Sequence, residues 1–226
     1  MKIKIATLVL SLAAAFSLFA QSKEDQRLAN SANVMRELLQ GDKGLPKNIL
    51  DQSLCVLIFP SVKKVAVGIG GSYGRGVLVC RKGDKMNGNW GAPVMYALDQ
   101  GSLGVQLGST ATDFVLAVVH NKGVDAILNG KMKLGASAAA AAGPTGADAN
   151  GYIAQADILT YSRAKGLFAG VSLEGASIEP DNDANKKLYG KEVGPREIVN
   201  GSQQDVPAGK PLVSLLDETS PARKGA

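Results

Sequence analysis

The chain is poor in the residue types that most metal and nucleic-acid sites require. Aromatic side chains make up only 5% of its 226 residues, and it has one histidine and two cysteines. So few aromatics argue against a surface that stacks nucleic-acid bases, and one histidine with two cysteines does not make a structural zinc site. The formal net charge of +5 is too small to indicate nucleic-acid binding by itself. We therefore expect no nucleic-acid partner, no metal and no cofactor.

Recognisable catalytic arrangements are also lacking. No G-x-S-x-G nucleophile elbow occurs. The single histidine, His120, ends the apolar run TDFVLAVVH, where a strand-end position is a better interpretation than a general base. The acidic residues Asp99, Asp113, Asp125 and Asp157 are scattered, and solvated or turn carboxylates explain them better than an acid–base pair. The sequence therefore predicts that the protein is not an enzyme.

One long apolar run stands at the N-terminus. Lys2 and Lys4 precede an apolar or small stretch over residues 5–19, and Ala20 suits the position before a cleavage site. This is the pattern of a secretory signal peptide. A membrane anchor is the alternative, but the run is shorter than the ~20 residues of a spanning helix. We expect residues 1–20 to be removed, leaving an exported protein, periplasmic or secreted, with a net charge of +3.

The two cysteines, Cys55 and Cys80, each stand in a strand-like run, SLCVLIF and GVLVC. An exported protein meets an oxidising compartment, where a pair of cysteines can form a disulfide. Neighbouring strands would bring them close enough to bond. Two buried free thiols are the alternative, and we favour the disulfide.

Hydrophobic periodicity predicts an α+β protein. Residues 23–40 carry apolar side chains at three- and four-residue steps, as in an amphipathic helix, and Gly41 can end it. Short apolar runs with glycine turns then predict a β-rich antiparallel body, either a barrel or sandwich-like. Short C-terminal helices are expected over 183–189 and 194–200. The composition of residues 201–226 predicts a largely disordered tail.

The stretch GIGGSYGRGVLVC, residues 68–80, has the glycine density of a phosphate-binding loop. A dinucleotide fingerprint needs a helix after the glycines, whereas VLVC is typical of a strand. A Walker loop needs Gly-Lys-Ser/Thr at its end, which Arg75 and Gly76 do not supply. We therefore predict that these glycines permit bends or close backbone approach within strands.

Two of these segments, GGSYGRG and YSRAKGLFAGVSLEG, carry a resemblance to a known family. Together with CVLIFPSVKKVAVGIGG and NWGAPVMYALDQGSLGVQLGSTATDFVLAVVH, they make residues from about 29 to about 200 similar to a SYLF domain, in the order of that family. The resemblance implies a lipid-binding domain over residues 21–200 that binds anionic lipids, notably phosphoinositides in eukaryotic members, without catalysis. Some eukaryotic members also bind actin. An exported bacterial branch is implied by the leader, so actin is not expected as a partner here.

The resemblance also implies candidate lipid-binding residues. Both segments place basic residues near strand junctions, where arginine forks, lysines and backbone N–H groups can hold a lipid phosphate. A tyrosine can lie at the headgroup level. The candidates are Lys63, Lys64, Tyr73, Arg75, Arg81, Lys82, Arg163 and Lys165.

Other interpretations of these residues remain open. The lysine and arginine pairs at 63–64 and 81–82 can be ordinary solvated strand ends, and Tyr73 can pack over glycines. Arg163 can pair with Asp157 or Glu174. The N-terminal helix is a rival membrane element, although its apolar stripe is expected to pack on the domain. The sequence thus predicts docking on an anionic membrane surface, with a structural or protein-interaction module of the envelope as the alternative.

Overall fold

The computed structural model describes most of the chain after the predicted leader, namely residues 21–41, 44–67, 69–103, 108–144, 153–164, 167–170, 173, 175–201 and 206–223. The predicted signal peptide, Lys165 and Glu174 lie outside the described residues. None of the helices in the described ranges is long and apolar enough to cross a membrane.

Six helices and nine strands are described. The helices are α1 (Lys23–Gln40), α2 (Lys47–Gln52), α3 (Asn121–Leu128), α4 (Asn182–Tyr189), α5 (Pro195–Val199) and α6 (Lys210–Thr219), with a 3₁₀ turn over Pro207–Gly209. The strands are β1 (Cys55–Val67), β2 (Ile69–Cys80), β3 (Val94–Leu103), β4 (Gly108–Val118), β5 (Met132–Lys133), β6 (Ala140–Ala142), β7 (Ile158–Ala164), β8 (Leu167–Gly170) and β9 (Ser177–Pro180).

All nine strands belong to one sheet, in the order β5-β9-β3-β2-β1-β4-β7-β6, with β8 also paired to β7. Every pairing is antiparallel except the parallel pair β6–β7. The α+β class, the antiparallel sheet, the N-terminal helix and the short C-terminal helices are therefore confirmed. Among the described strands the sheet is open, and helices rather than a second sheet cover its faces.

Hydrophobic cores lie on both faces of the sheet. Along β1, Val56 and Ile58 belong to the core that α1 and α6 cover, whereas Leu57 and Phe59 belong to the core on the opposite face. Side chains alternate between faces along a strand, so a strand buried on both faces needs an apolar residue at every position. This is why the run CVLIF contains no polar residue.

α1 is an amphipathic helix whose apolar stripe packs on the domain. The Ser22 hydroxyl accepts a hydrogen bond from the backbone N–H of Asp25 at 3.0 Å and caps the first turn. Leu28, Met35 and Leu38 are completely buried in the core beneath the helix. The stripe is therefore part of the protein's own core, as the sequence favoured.

A β-bulge in β1 changes which face its later residues occupy. The partner of Ile58 on β2 is Val77, and the partner of Lys63 is Tyr73, so β1 holds one extra residue between these pairs. Ser61 within the bulge has a positive φ of 56°. Because of the extra residue, Lys63 lies on the same face as Ile58 and turns toward α1.

The expectation of a disordered tail is wrong for residues 206–223. Residues 210–219 form α6, which packs against α1. Leu212 and Leu216 are one helical turn apart and completely buried. The prolines, serines, lysines and glycines of residues 201–226 favoured disorder, but two buried leucines at helical spacing decide the structure of this segment.

Candidate functional site

A cleft of about 290 Å³ opens between the N-terminal half of α1 and the region where β1 and β2 extend beyond the covered core. We call it the cationic cleft. Its lining residues are Lys23, Gln26, Arg27, Asn30, Pro60, Ser61, Lys63, Tyr73, Gly74 and Arg75. Four of these side chains are cations, so the cleft gathers positive charge from three separate elements.

Tyr73 and Arg75 come from the same face of β2 and contact one another. The Arg75 guanidinium carbon lies 5.1 Å from the centroid of the Tyr73 ring, a cation–π arrangement, and Arg75 Nε donates to the Tyr73 hydroxyl. Tyr73 is 45% exposed, and among the described residues it is the one large hydrophobic side chain that is exposed. The pair presents an aromatic ring and a guanidinium side by side at the cleft.

The glycines around this pair bring β2 close to β1. A Cβ atom on Gly74 would lie 2.6 Å from Cγ2 of Val62, and one on Gly76 would lie 2.4 Å from Cδ1 of Phe59. No side chain fits at those distances, so the glycines are required by close packing between strands. From Ile69 to Cys80 the segment is a continuous strand with another strand after it, and the prediction that its glycines permit close backbone approach within strands is confirmed.

Asp181 is the carboxylate that faces the arginines of the cleft. Its Oδ2 accepts from Nη1 of Arg75 at 2.6 Å and from Nη1 of Arg27 at 3.3 Å. Partial burial disfavours the charge of Arg75, but Asp181 and the Tyr73 hydroxyl outweigh it and raise the pKa of Arg75. Both arginines are thus held in place by one carboxylate.

The lysines of the cleft are arranged differently. Lys23 and Lys63 are exposed, and neither forms an ion pair within the described ranges. Asp99 is exposed on β3, across from Tyr73. The cleft therefore has an arginine side that shares one carboxylate and a lysine side whose ammonium groups face solvent.

Lys64 and Lys82, two of the predicted site residues, lie away from the cleft. Lys64 follows Lys63 on β1, so its side chain points to the opposite face of the sheet. Lys82 is exposed at the rim of a second cleft of about 210 Å³, between α6 and the loop before β3. The predicted basic cluster is thus divided between different surfaces.

Arg81 is a buried structural residue, and the prediction that it binds lipid is wrong. It is 1% exposed, and its guanidinium donates to the carbonyl oxygens of Ser53, Gly88, Ser220 and Pro221. Burial and the nearby charge of Arg223 lower its pKa to about 10, so it remains a cation at neutral pH. Its hydrogen bonds hold the end of α6.

Arg163 also forms an internal network. Its side chain, 19% exposed, donates to Asp113 at 2.7 and 2.8 Å and pairs with Glu37 of α1. Asp113 also accepts from the backbone N–H of Ser61 at 2.8 Å, and burial raises the pKa of Asp113 against the effect of that bond. The structure shows Asp113 and Glu37, rather than the expected Asp157, as partners of Arg163, and Glu174 lies outside the described residues. The network joins α1 to β4 and β7.

Cys55 and Cys80 form the predicted disulfide. They lie directly opposite each other on β1 and β2, with Cα atoms 3.9 Å apart. The backbone N–H of Arg81 donates to the carbonyl of Leu54, so the two cysteines occupy a non-hydrogen-bonded pair, where opposing strands are closest. The prediction of a disulfide is confirmed.

Sequence reasoning missed Lys23, Arg27 and Asp181. The helix that carries Lys23 and Arg27 was predicted, but only the arrangement of α1 over the sheet shows that they face Tyr73 and Arg75. Asp181 had a local signal, because its Oδ1 caps α4 by accepting from the N–H of Ala184 at 3.2 Å. Its second role, toward two arginines far away in sequence, has no local signal.

Within the described ranges, no group of three or more histidine, cysteine, aspartate or glutamate side chains is placed to hold a metal ion. His120 lies near Asp157, with Nδ1 and Oδ1 3.7 Å apart. It is half-buried, directly precedes α3, and is remote in sequence from every residue of the cationic cleft. The side chains that line the cleft offer positive charge, hydrogen-bond donors and one aromatic ring.

Comparisons with known proteins identify relatives in fungi and animals. The chain is 31% identical over 207 residues to the SH3 domain-containing protein PJ696.02 of Schizosaccharomyces pombe, covering 89% of this chain and 47% of the relative. It is 30% identical over 207 residues to Protein YSC84 of Saccharomyces cerevisiae, with 89% and 43% covered. It is 28% identical over 197 residues to the human SH3 domain-containing YSC84-like protein 1, with 83% and 56% covered. The chain thus spans about half the length of the curated relatives it matches.

The family comparison agrees with these relatives. Residues 99–219, more than half of the chain, match the family Ysc84, which is described as "Las17-binding protein actin regulator". The matched range begins on β3 and ends with α6, so it includes the C-terminal helix that composition had assigned to a tail. The resemblance to SYLF domains is confirmed, and the chain belongs to the Ysc84 (SYLF) family.

Proposed function

We propose that this domain docks on anionic phospholipid surfaces through the cationic cleft and performs no catalysis. The observation that carries the proposal is the convergence of Lys23, Arg27, Lys63 and Arg75 on one cleft beside the exposed ring of Tyr73. Guanidinium and ammonium groups are the side chains that bind phosphate oxygens. The cleft faces solvent at the end of the sheet where α1 leaves β1 and β2 uncovered.

The two sides of the cleft have complementary parts in this proposal. Lys23 and Lys63 are exposed cations without a carboxylate partner in the described part of the chain, so they gain attraction from an anionic surface without first breaking an ion pair. Each basic residue near an anionic membrane contributes about 1 kcal/mol. Tyr73 supplies a ring with a polar end, which suits the boundary between headgroups and water. Contact with phosphoinositide-like headgroups, which carry several phosphates, fits this clustering of charge.

A location outside the cytoplasm is part of the same proposal. The lysines and apolar run of residues 1–20 support export, and the disulfide between Cys55 and Cys80 suits an oxidising compartment. We infer a periplasmic or secreted protein that binds a membrane surface peripherally.

The second candidate function is a protein-interaction module. The family description names a Las17-binding protein that regulates actin, and relatives carry the name "LAS seventeen-binding protein 3". The same cationic cleft would then bind an acidic segment of a protein partner. Because the chain spans about half of those relatives, the partner of a whole relative is not assumed for this domain.

Vesicle co-sedimentation of residues 21–226 tests the first candidate. The probes are phosphatidylcholine vesicles with and without phosphatidylglycerol, over a series of salt concentrations. We expect binding only to the anionic vesicles, and weaker binding as salt rises, because exposed charges are screened. Absence of binding to anionic vesicles at low salt would reject membrane docking and favour the protein-interaction candidate.

The choice of cleft is tested by a double variant, Lys23→Gln with Lys63→Gln. Both side chains are exposed, so the fold should be retained while affinity falls about thirtyfold, given about 1 kcal/mol for each charge. The matched control is Lys187→Gln with Lys191→Gln, which removes two exposed lysines at the C-terminal end of α4 and just after it, away from the cleft lining. Equal loss in both double variants would mean that net charge, and not the cleft, governs binding.

A further inference from the structure

Asp181 lies where α4 begins, next to two elements that line the cationic cleft, α1 and β2. It is 8% exposed and directly precedes α4. Its Oδ2 accepts from Arg75 of β2 and from Arg27 of α1, and its Oδ1 accepts from the backbone N–H of Ala184. One carboxylate therefore caps a helix and neutralises part of two guanidinium groups.

This carboxylate acts on only one side of the cleft. Its 2.6 Å contact is with Arg75, whose side chain is still 40% exposed and so can reach an external ligand. Lys23 and Lys63 have no contact with Asp181. An external phosphate can thus approach the lysine side freely, whereas on the arginine side it must share Arg75 with a fixed negative charge.

We propose that Asp181 is a built-in counter-anion that determines how negatively charged a surface must be before the cleft binds it. The inference rests on the proposed function and adds a specificity-determining residue to it. Repulsion between Asp181 and an incoming phosphate penalises weakly anionic surfaces, where little net negative charge is available to compensate. A densely anionic surface or a headgroup with several phosphates engages the lysines as well, and the combined attraction exceeds the repulsion.

Substituting Asp181→Asn separates the charge from the capping role. Asparagine is as good an N-cap as aspartate, so α4 keeps its first-turn hydrogen bond while the negative charge disappears. The matched control is Asp183→Asn, which removes one negative charge from the exposed first turn of the same helix. Any effect of net charge alone is the same in both variants.

The measurement is co-sedimentation with phosphatidylcholine vesicles that contain increasing fractions of phosphatidylglycerol. We expect Asp181→Asn to bind at a lower phosphatidylglycerol fraction than the unmodified chain, with affinity raised about fivefold, the change expected when one nearby like charge is removed in water. Asp183→Asn should stay close to the unmodified chain. Unchanged or weaker binding by folded Asp181→Asn would overturn the inference.

A second measurement links the effect to Arg75. If Asp181 competes with an external phosphate for Arg75, then Arg75→Gln should lower vesicle affinity more in the Asp181→Asn background than in the unmodified chain. Equal losses of affinity in the two backgrounds would contradict the inference. Should Asp181→Asn lose its cooperative melting transition, Asp181→Ser is the replacement, since serine also caps helices. Loss of melting in both would make Asp181 a purely structural carboxylate and overturn the inference. Failure of the unmodified chain to bind any vesicle would instead reject the proposed function itself.

Discussion

The guanidinium of Arg81 stacks on the indole of Trp90, with its carbon 4.4 Å from the centroid of the ring, and both side chains donate to the carbonyl oxygen of Ser220. Ser220 follows α6, where the last carbonyls of a helix have no partner within it. A buried cation at the C-terminal end of a helix also interacts favourably with the helix dipole. Arg81 and Trp90 thus form the site at which the end of α6 is fixed.

Replacing Arg81 with methionine should destabilise the protein by about 3 kcal/mol, because several buried carbonyls would lose their charged donor. Equilibrium unfolding in urea measures this loss. Lys82→Met is the control. Lys82 is the exposed neighbour of Arg81, so this substitution should change the free energy of unfolding by less than about 0.5 kcal/mol. Similar midpoints for the two variants would show that the Arg81 network adds little.

Reduction of the Cys55–Cys80 disulfide should lower the free energy of unfolding by about 3 kcal/mol, as expected for a bridge across 25 residues. Unfolding curves with and without a dithiol reductant test this. The double variant Cys55→Ser with Cys80→Ser provides the control, because reductant should not change its curve. The native protein should also show no reactive thiol before it is reduced and unfolded, and two titratable thiols would contradict the bond.

Gly76→Ala should destabilise the protein by 2 kcal/mol or more, on the order of the cost of overpacking a core. The new methyl group would lie 2.4 Å from both Cδ1 of Phe59 and the carbonyl oxygen of Ile58. Gly101→Ala is the matched control on the neighbouring strand β3, since nothing lies within 4 Å of its Cβ position. Thermal melting compares the two, and equal melting temperatures would argue against close packing at Gly76.

Arg163→Gln should lower stability by about 2 kcal/mol and leave vesicle binding unchanged, because its guanidinium bonds Asp113 and Glu37 rather than facing the cleft. The control is Arg36→Gln, an exposed arginine of α1 that bonds only its neighbour Asn33 within the described residues. If Arg163→Gln alone lost vesicle binding, Arg163 would have to be counted among the lipid-binding residues.

Local patterns predicted the elements of this fold well. The helix over residues 23–40, the strand character of the GGSYGRG segment and the disulfide all follow from properties of short stretches, namely periodicity, glycine content and cysteine position. The bulge at Ser61 could not be predicted, because it depends on how β1 pairs with two neighbours at once. That one extra residue decides which of Lys63 and Lys64 faces the cleft.

The candidate site was predictable only in part, for the same reason. Tyr73, Arg75 and Lys63 were found because they stand close together in the sequence, and β1 and β2 pair directly. Arg81 and Arg163 were assigned to the site from their basic character, yet burial and partners distant in sequence make them structural. Lys165 lies outside the described residues, and its role stays a prediction. Charge alone therefore does not separate a binding arginine from a buried one.

The packing of α6 on α1 joins residues near the two ends of the described chain. During synthesis α1 is made long before Leu212 and Leu216. The core between these two helices therefore cannot close until residues 210–219 have been made. Until then the part of the α1 apolar stripe that α6 covers stays open and available to any chaperone that holds unfolded chains.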